Sequence, residues 1–282
     1  MSFELRRCTT CGTAVTIGDA PLALHESGAY GPGRPRLHRA AGPALRAFDN
    51  RRLGLLGTLV APPARVLDAG AGRGRFVAAA RAAGYDAFGI EPSPRGWGAA
   101  GTAGVPVQGV SIEQAQIPDA SFDAVTLWHV LEHLDEPARA LARLHEWLAP
   151  GGALLVGVPN LASLQARLAS ADWYHFDVPR HRVHFTPAGV NALLVRQGFT
   201  VLRTHHLLLE HNPFGMWQSL VNRATKNPSY LYNLLKRNAP LRSPDLAITA
   251  LALPLAPLAA LLELIAGLCD RGGTIAVLAR RS

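Results

Sequence analysis

The chain is short of lysine, cysteine and methionine. Only 2 of its 28 basic residues are Lys, so the formal net charge of +8 is carried by Arg, and an excess of that kind says little about a dedicated phosphate chemistry. No basic strip interleaved with aromatics and no helix-turn-helix pattern occurs, which argues against nucleic acid as a partner. Three cysteines in 282 residues cannot build a disulfide framework, and no basic-then-apolar leader with a small-residue cleavage site opens Met1–Asp19. Both features lead us to expect a chain kept in a reducing cytoplasm. No internal repeat is present. The composition, 49% apolar and 17% charged, excludes a disordered or collagenous chain and suits one large domain, or one domain with an appendage.

Charge is distributed unevenly. Residues 1–60 hold 8 Arg against 4 acids, 61–210 hold 12 basic residues against 13 acids, and 211–282 hold 8 against 3, so the middle is neutral and the flanks are basic. An anionic membrane surface is the better candidate partner for the C-terminal flank. Near the N-terminus, Cys8-Thr9-Thr10-Cys11-Gly12 has the form of a zinc knuckle. A structural zinc needs four ligands, no second C-x-x-C exists, and His25 and His38 are the only nearby residues to complete a site, so we expect no metal.

Residues 1–44 read as a Pro/Gly-punctuated segment, followed by a helix around Gly42–Val60 with an apolar stripe of Leu45, Phe48, Leu53, Leu56 and Leu59. From Arg65 short apolar runs alternate with helical stretches. Strands are predicted at 65–68, 87–90, 105–110, 122–127, 153–158 and 200–206, with helices at 75–83, 96–103, 137–148 and 187–197. Such alternation with short links demands a mostly parallel sheet covered on both faces. A last strand at 273–280 follows a segment of different texture, taken as an insertion over 208–272. The domain boundaries are therefore 1–44, a core at 45–207, the insertion, and a final core strand at 273–282.

The strongest local signal is Val66-Leu67-Asp68-Ala69-Gly70-Ala71-Gly72-Arg73-Gly74-Arg75-Phe76, a strand opening into a glycine turn and a helix. Gly70, Gly72 and Gly74 remove side chains where a ligand lies close to backbone, and the helix start supplies free N–H groups. The spacing is G-x-G-x-G, Asp68 precedes it, and a second acid, Glu91, closes the next strand, where a carboxylate can hold a ribose diol.

This pattern resembles the cofactor-binding motif of class I S-adenosylmethionine-dependent methyltransferases. Phe122-Asp123-Ala124-Val125 through His129-Val130-Leu131-Glu132-His133-Leu134, and Leu148-Ala149-Pro150-Gly151-Gly152, are similar to further family segments, and together they span about residues 45–207 plus the final strand. Pro179-Arg180-His181 with Phe185-Thr186-Pro187 looks like a branch that includes quinone-pathway O-methyltransferases and bacterial methyltransferases of unassigned substrate. The resemblance implies a Rossmann-like α/β fold, a seven-stranded mostly parallel sheet with an antiparallel last strand, and S-adenosylmethionine as cofactor. It places Gly70 and Gly72 beneath the methionine part, with Gly74 in the same turn, Glu91 on the ribose, Ile112 and Glu113 beside the adenine, and Trp128 and His129 at the methyl side. Asp68 orders the turn or reaches the cofactor's amino group.

Methyl transfer needs an in-line lone pair, exclusion of water and, for a hydroxyl acceptor, a base. His181, His129 and His184 are the candidate bases. His175 is an outsider, and His133 reads as local packing. Trp173, Tyr174 and Phe176, in an aromatic loop, form a candidate acceptor wall, and as lone aromatics they serve equally as core. The insertion carries Arg223, Lys226, Lys236, Arg237 and Arg242 among Trp217, Tyr230 and Tyr232, followed by Leu246–Leu268, which has one charge, Glu263, and two prolines. Hydropathy alone would make that run a transmembrane helix. A single crossing would put the strands at 200–206 and 273–280 on opposite sides of a bilayer, so the run is expected to lie on a membrane through 212–271 or to form a helical lid. The expectation is a cytoplasmic enzyme, with membrane association at the inner face left open, that methylates an oxygen of an amphiphilic small-molecule, lipid-linked or glycan acceptor. A homodimer is also left open. Two rivals stand beside it: a non-catalytic S-adenosylmethionine-binding protein, and a nicotinamide-dependent oxidoreductase, which the glycine spacing disfavours.

Overall fold

The structure, a computed structural model, describes residues 4–18, 42–208, 210, 212–241 and 243–282. His25, His38, Arg242 and the turn-rich part of 1–44 lie outside the described residues. The described strands are β1 (Glu4–Arg7), β2 (Ala14–Ile17), β3 (Arg65–Ala69), β4 (Asp86–Ile90), β5 (Val107–Gln108), β6 (Phe122–Trp128), β7 (Leu148–Pro159), β8 (Val183–His184), β9 (Phe199–His205) and β10 (Thr274–Arg281). The helices are α1 (Gly42–Gly57), α2 (Arg75–Ala82), α3 (Pro94–Thr102), α4 (Pro137–Trp147), α5 (Leu164–Ala169), α6 (Pro187–Arg196), α7 (Asn212–Asn222), α8 (Tyr230–Leu235), α9 (Pro244–Ala252) and α10 (Ala256–Leu268).

The chain forms two compact units. The first comprises Pro43–Val158, Ala188–Thr204 and Ala276–Ser282. It is built on a seven-stranded sheet of order β5-β4-β3-β6-β7-β10-β9. β3 pairs in parallel with β4 and β6, β4 with β5, and β6 with β7, while the final strand runs antiparallel. The fold class is therefore the one predicted. Its central strands are mostly apolar because both faces are covered: Val66, Leu127, Leu154, Leu155 and Val156 are buried, with Asp68 and Thr126 as buried polar exceptions.

Two elements differ from expectation. β5 is two residues long rather than six, since Pro106 has no N–H for a ladder and Gly109 lies against the Trp97 indole. In α1 the buried residues are Asp49, Arg52, Leu55 and Leu56, so the buried face carries two charges, and Leu45, Phe48 and Leu53 are only half-buried.

The second unit comprises the described residues of Met1–Gly42 with Pro159–Pro187 and His205–Ile275. Residues 159–187 cluster in this unit with the insertion. A three-stranded antiparallel sheet, β1-β2-β8, holds the Cys8–Gly12 turn at the tip of the β1–β2 hairpin, where Cys8 and Cys11 are both free thiols. The insertion is helical as expected. α7 packs on α10 through Met216, Trp217, Val221 and Ala259. A polar knot ties the helices together: Gln165 Nε2 donates to Glu263 Oε2 at 2.8 Å, Gly273 N to Glu263 Oε1 at 2.7 Å, and Trp173 Nε1 to Gln165 Oε1 at 3.1 Å. Gly273 makes this approach feasible, because a Cβ there would stand 1.8 Å from Gln165 Nε2.

Candidate functional site

Parallel pairing of Ala69 with Ile90 brings the carboxyl ends of β3 and β4 level, and Gly70 N and Ala71 N both donate to Ile90 O, at 2.8 and 2.9 Å. The chain then turns through Gly70, Gly72 and Gly74 at φ of 82°, 57° and 73°, values that favour glycine, and enters α2. Glu91, buried at the tip of β4, secures that turn. Its Oε2 accepts from Gly72 N at 2.8 Å and its Oε1 from Ser93 N at 2.9 Å.

The glycines have a second reason for being glycine that differs from the expected one. A Cβ on Gly70 would lie 2.3 Å from Val130 Cγ2, and one on Gly74 would lie 2.8 Å from Val105 Cγ1. At these two positions it is protein, pressed close, that excludes a side chain.

Asp68 does not order the turn. Its buried carboxylate accepts from Thr126 Oγ1 at 2.5 Å and from Arg52 Nη2 at 2.9 Å. Arg52 was missed by sequence reasoning. Its guanidinium carbon sits 3.8 Å from the Phe76 ring centroid and 4.9 Å from that of Trp128, a cation stacked on two rings. Beside it, Asp49 pairs with Arg75 at 2.8 Å, and burial pushes the Asp49 carboxyl up against the pull of Arg75. The signal available was an Arg in the middle of an apolar stripe.

Trp128 and His129 follow at the end of β6. His129 takes φ +56°, and its Nδ1 is 3.0 Å from the buried Glu132 Oε1. Ile112 is buried, with its carbonyl accepting from Arg143 Nε at 3.0 Å, whereas Glu113 is exposed. All the predicted cofactor residues therefore belong to the first unit.

The residues fit S-adenosylmethionine on two observations. Gly72 and Glu91 form a carboxylate-backed glycine turn at the strand ends. Arg52 Nε and Trp128 Nε1 are buried donors with no hydrogen-bond partner among the described residues, as a ligand with its own acceptor oxygens requires.

The predicted acceptor residues gather in the second unit. His181 is buried, its Nδ1 2.7 Å from His175 O and its Nε2 4.0 Å from Asp177 Oδ2. A carbonyl only accepts, so in the neutral ring Nδ1 holds the proton and Nε2 the lone pair. His184 lies on β8 with Nε2 2.9 Å from Thr16 Oγ1, and its ring meets Phe176 edge-on. Trp173 packs against Phe176, while Tyr174 contacts Phe214 and Tyr232. Burial pushes the Tyr174 phenol up, which keeps it protonated.

A family model described as a methyltransferase domain matches residues 38–204. The chain belongs to this family, the class I S-adenosylmethionine-dependent methyltransferases. The methyltransferase's cofactor is S-adenosylmethionine. Among solved structures it resembles Burkholderia thailandensis 1,6-didemethyltoxoflavin-N1-methyltransferase with bound 1,6-didemethyltoxoflavin and S-adenosylhomocysteine, at 20% identity and TM-score 0.53 over 99% of each chain. A Thermotoga maritima methyltransferase aligns at 18% identity and TM-score 0.52, covering 87% of this chain and 95% of that one. The cyclase SpnF aligns at 20% identity and TM-score 0.56, covering 82% and 80%. At such identities the likeness is one of fold. No curated protein matches the methyltransferase.

Proposed function

We propose that the protein transfers the methyl group of S-adenosylmethionine to an oxygen of an amphiphilic acceptor, whether a small molecule, a lipid-linked molecule or a glycan. The observation that carries the oxygen assignment is His181: a buried imidazole fixed through Nδ1 by the His175 carbonyl, a bond that makes Nε2 the basic nitrogen of the neutral ring. That is what removing a hydroxyl proton requires. Asp177, which pairs with Arg180, stands 4.0 Å from Nε2. Trp173, Tyr174 and Phe176 supply apolar surface for the acceptor and exclude water. His129 and His184 are the other candidate bases.

On the cofactor side, Glu91 receives the ribose hydroxyls, the backbone of Gly70, Gly72 and Gly74 lines the turn, and Arg52 and Trp128 offer donors to the methionine carboxylate. Ile112 and Glu113 flank the adenine, and Asp68 holds Arg52 in place. When bound, the cofactor supplies an electrophilic methyl on a sulfonium, which needs no metal and no redox partner.

A second reading, a protein that keeps the cofactor without transferring methyl, draws support from the SpnF likeness, because that fold neighbour is a cyclase. Titration calorimetry with S-adenosylmethionine and S-adenosylhomocysteine, with reduced nicotinamide as control, followed by a methyl-labelled turnover screen over amphiphilic alcohols and phenols, separates the readings. Labelled methyl ether products support the proposal. Tight binding with no turnover of any acceptor favours the second reading, and methylated amines in place of ethers would refute the oxygen assignment.

A further inference from the structure

Among the described residues, one helical run is long and apolar enough to cross a membrane, the 25 residues Pro244–Leu268. Its polarity is inverted relative to a helix exposed to water. The polar residues Asp245, Thr249 and Glu263 are buried, while Leu251, Leu255, Leu258, Leu261, Ile265 and Leu268 are exposed, Leu251 by 81% and Leu268 by 68%. Every exposed position from 246 through 268 is Leu, Ile, Ala or Pro. A solvent-facing helix puts its charges outward, and a continuous apolar face of this kind marks a surface with a partner.

We propose that this outer face inserts into one leaflet of an anionic lipid bilayer, so that α9 and α10 lie in the membrane plane and the chain is held on one side. The inference goes beyond the acceptor proposed above and does not depend on it.

Three observations favour lipid over a second copy of the chain and over a crossing. The first is charge. In 212–271 Arg223, Lys226, Arg237 and Arg271 are exposed, and of the three acids only Asp270 is, since Asp245 and Glu263 face inward. Outward charge is thus positive, complementary to anionic headgroups, and a second copy would present the same cations.

The second is where those cations stand. Lys226 N and Asn227 N donate to the Asp245 carboxylate at 3.0 Å each, which brings Lys226 to the start of the apolar run, and Arg271 follows its end. Cations at both ends with apolar residues between them suit a helix lying at headgroup level.

The third is that the inner side is already occupied by protein along the helix. Trp217 Nε1 donates to Ala252 O at 2.8 Å, and Glu263 is tied to Gln165 and Gly273. A crossing would strip these contacts and leave Glu263 in hydrocarbon, which is costly. With one side covered by protein, half of the helix circumference remains for lipid, which is the arrangement of a one-leaflet anchor.

The test is flotation of the full-length protein with vesicles of phosphatidylcholine alone or mixed with phosphatidylglycerol. The expected result is co-flotation with the anionic vesicles, reduced by salt and weaker on pure phosphatidylcholine. The triple variant Leu251→Glu/Leu258→Glu/Ile265→Glu changes only exposed positions, and its far-UV circular dichroism should match the wild type. It should lose vesicle partitioning about a hundredfold or more, since each buried leucine-sized side chain is worth at least tenfold. Protease added outside the vesicles should still remove a tag at residue 282. Wild type that stays at the bottom with anionic vesicles, a triple variant that floats as well as wild type, or a stable dimer that needs Leu258 and refuses vesicles would each overturn the proposal. A protected C-terminal tag would overturn the in-plane placement.

Discussion

Glu263 should make the protein less stable as pH rises through neutrality. Its side chain is 1% exposed, and burial pushes its pKa from 4.5 up to about 7, with the Gly273 N–H, Gln165 and Asn212 opposing the shift. An acid whose folded pKa is raised holds its proton more tightly when folded. Its favourable contribution is therefore complete below about pH 4.5 and is lost as pH climbs through 7. Applying the linkage relation to those two values gives a loss of roughly 2–3 kcal/mol between pH 5 and pH 8. Two half-buried imidazoles oppose this trend, because His145 and His206 are held below their usual range by desolvation and contribute stability that grows as pH rises. The assay is therefore a comparison: urea unfolding of wild type and Glu263→Gln at several values from pH 5 to pH 8. The amide loses one accepting oxygen and should cost about 1 kcal/mol at every pH. The quantity that decides is the difference in slope. Wild type should fall relative to the variant by roughly 2–3 kcal/mol over the range, and parallel curves would refute the reasoning that burial keeps this carboxyl protonated.

Gly70→Ala should destabilise the protein by roughly 2–4 kcal/mol in urea unfolding, part from φ +82° and part from the 2.3 Å approach to Val130. Adding Val130→Ala should recover only the second part. Arg52→Leu leaves Asp68 buried without its cation and should cost about 3–5 kcal/mol, with a smaller loss when Asp68→Asn is added. Glu91→Gln should weaken S-adenosylmethionine binding by about 1.5–3 kcal/mol in calorimetry, and unchanged affinity would place the ribose elsewhere. His181→Ala should lower kcat about 10²- to 10⁴-fold once an acceptor is found, with cofactor affinity preserved; near-normal turnover would remove it as the base.

The sheet was legible because strands buried on both faces show as short, mostly apolar runs, and the turn after β3 because three alternate glycines follow an apolar run and open a helix. β1, β2 and β8 were not legible: strands of two to four residues offer too few positions for alternation to register. Arg52 and Asp49 escaped because charges read as solvent-facing, and only the fold reveals that each sits against a counter-charge. The roles of Gly70 and Gly74 depend on Val130 and Val105, distant in sequence, so the pattern identified the positions and not the neighbours. For the apolar run, hydropathy reports content and not direction. Asp245, Thr249 and Glu263 nonetheless recur on one helical face, and that spacing is itself a mark of a polar inner side.

The order β7-β10-β9 has a consequence for how the sheet is completed. β9 meets the rest of the sheet only through β10, and the two are separated by the excursion 206–273. Until that loop closes, β9 has no neighbour to bond with, and every residue left free in it raises the entropy lost at closure. Folding the excursion into packed helices, knotted at Glu263 to the Gly273 N–H just before β10, brings the strand's entry point to a fixed place. The polar knot thus acts as a clasp on the loop, and loosening it should slow the docking of β9 and β10 before it alters any contact in the first unit.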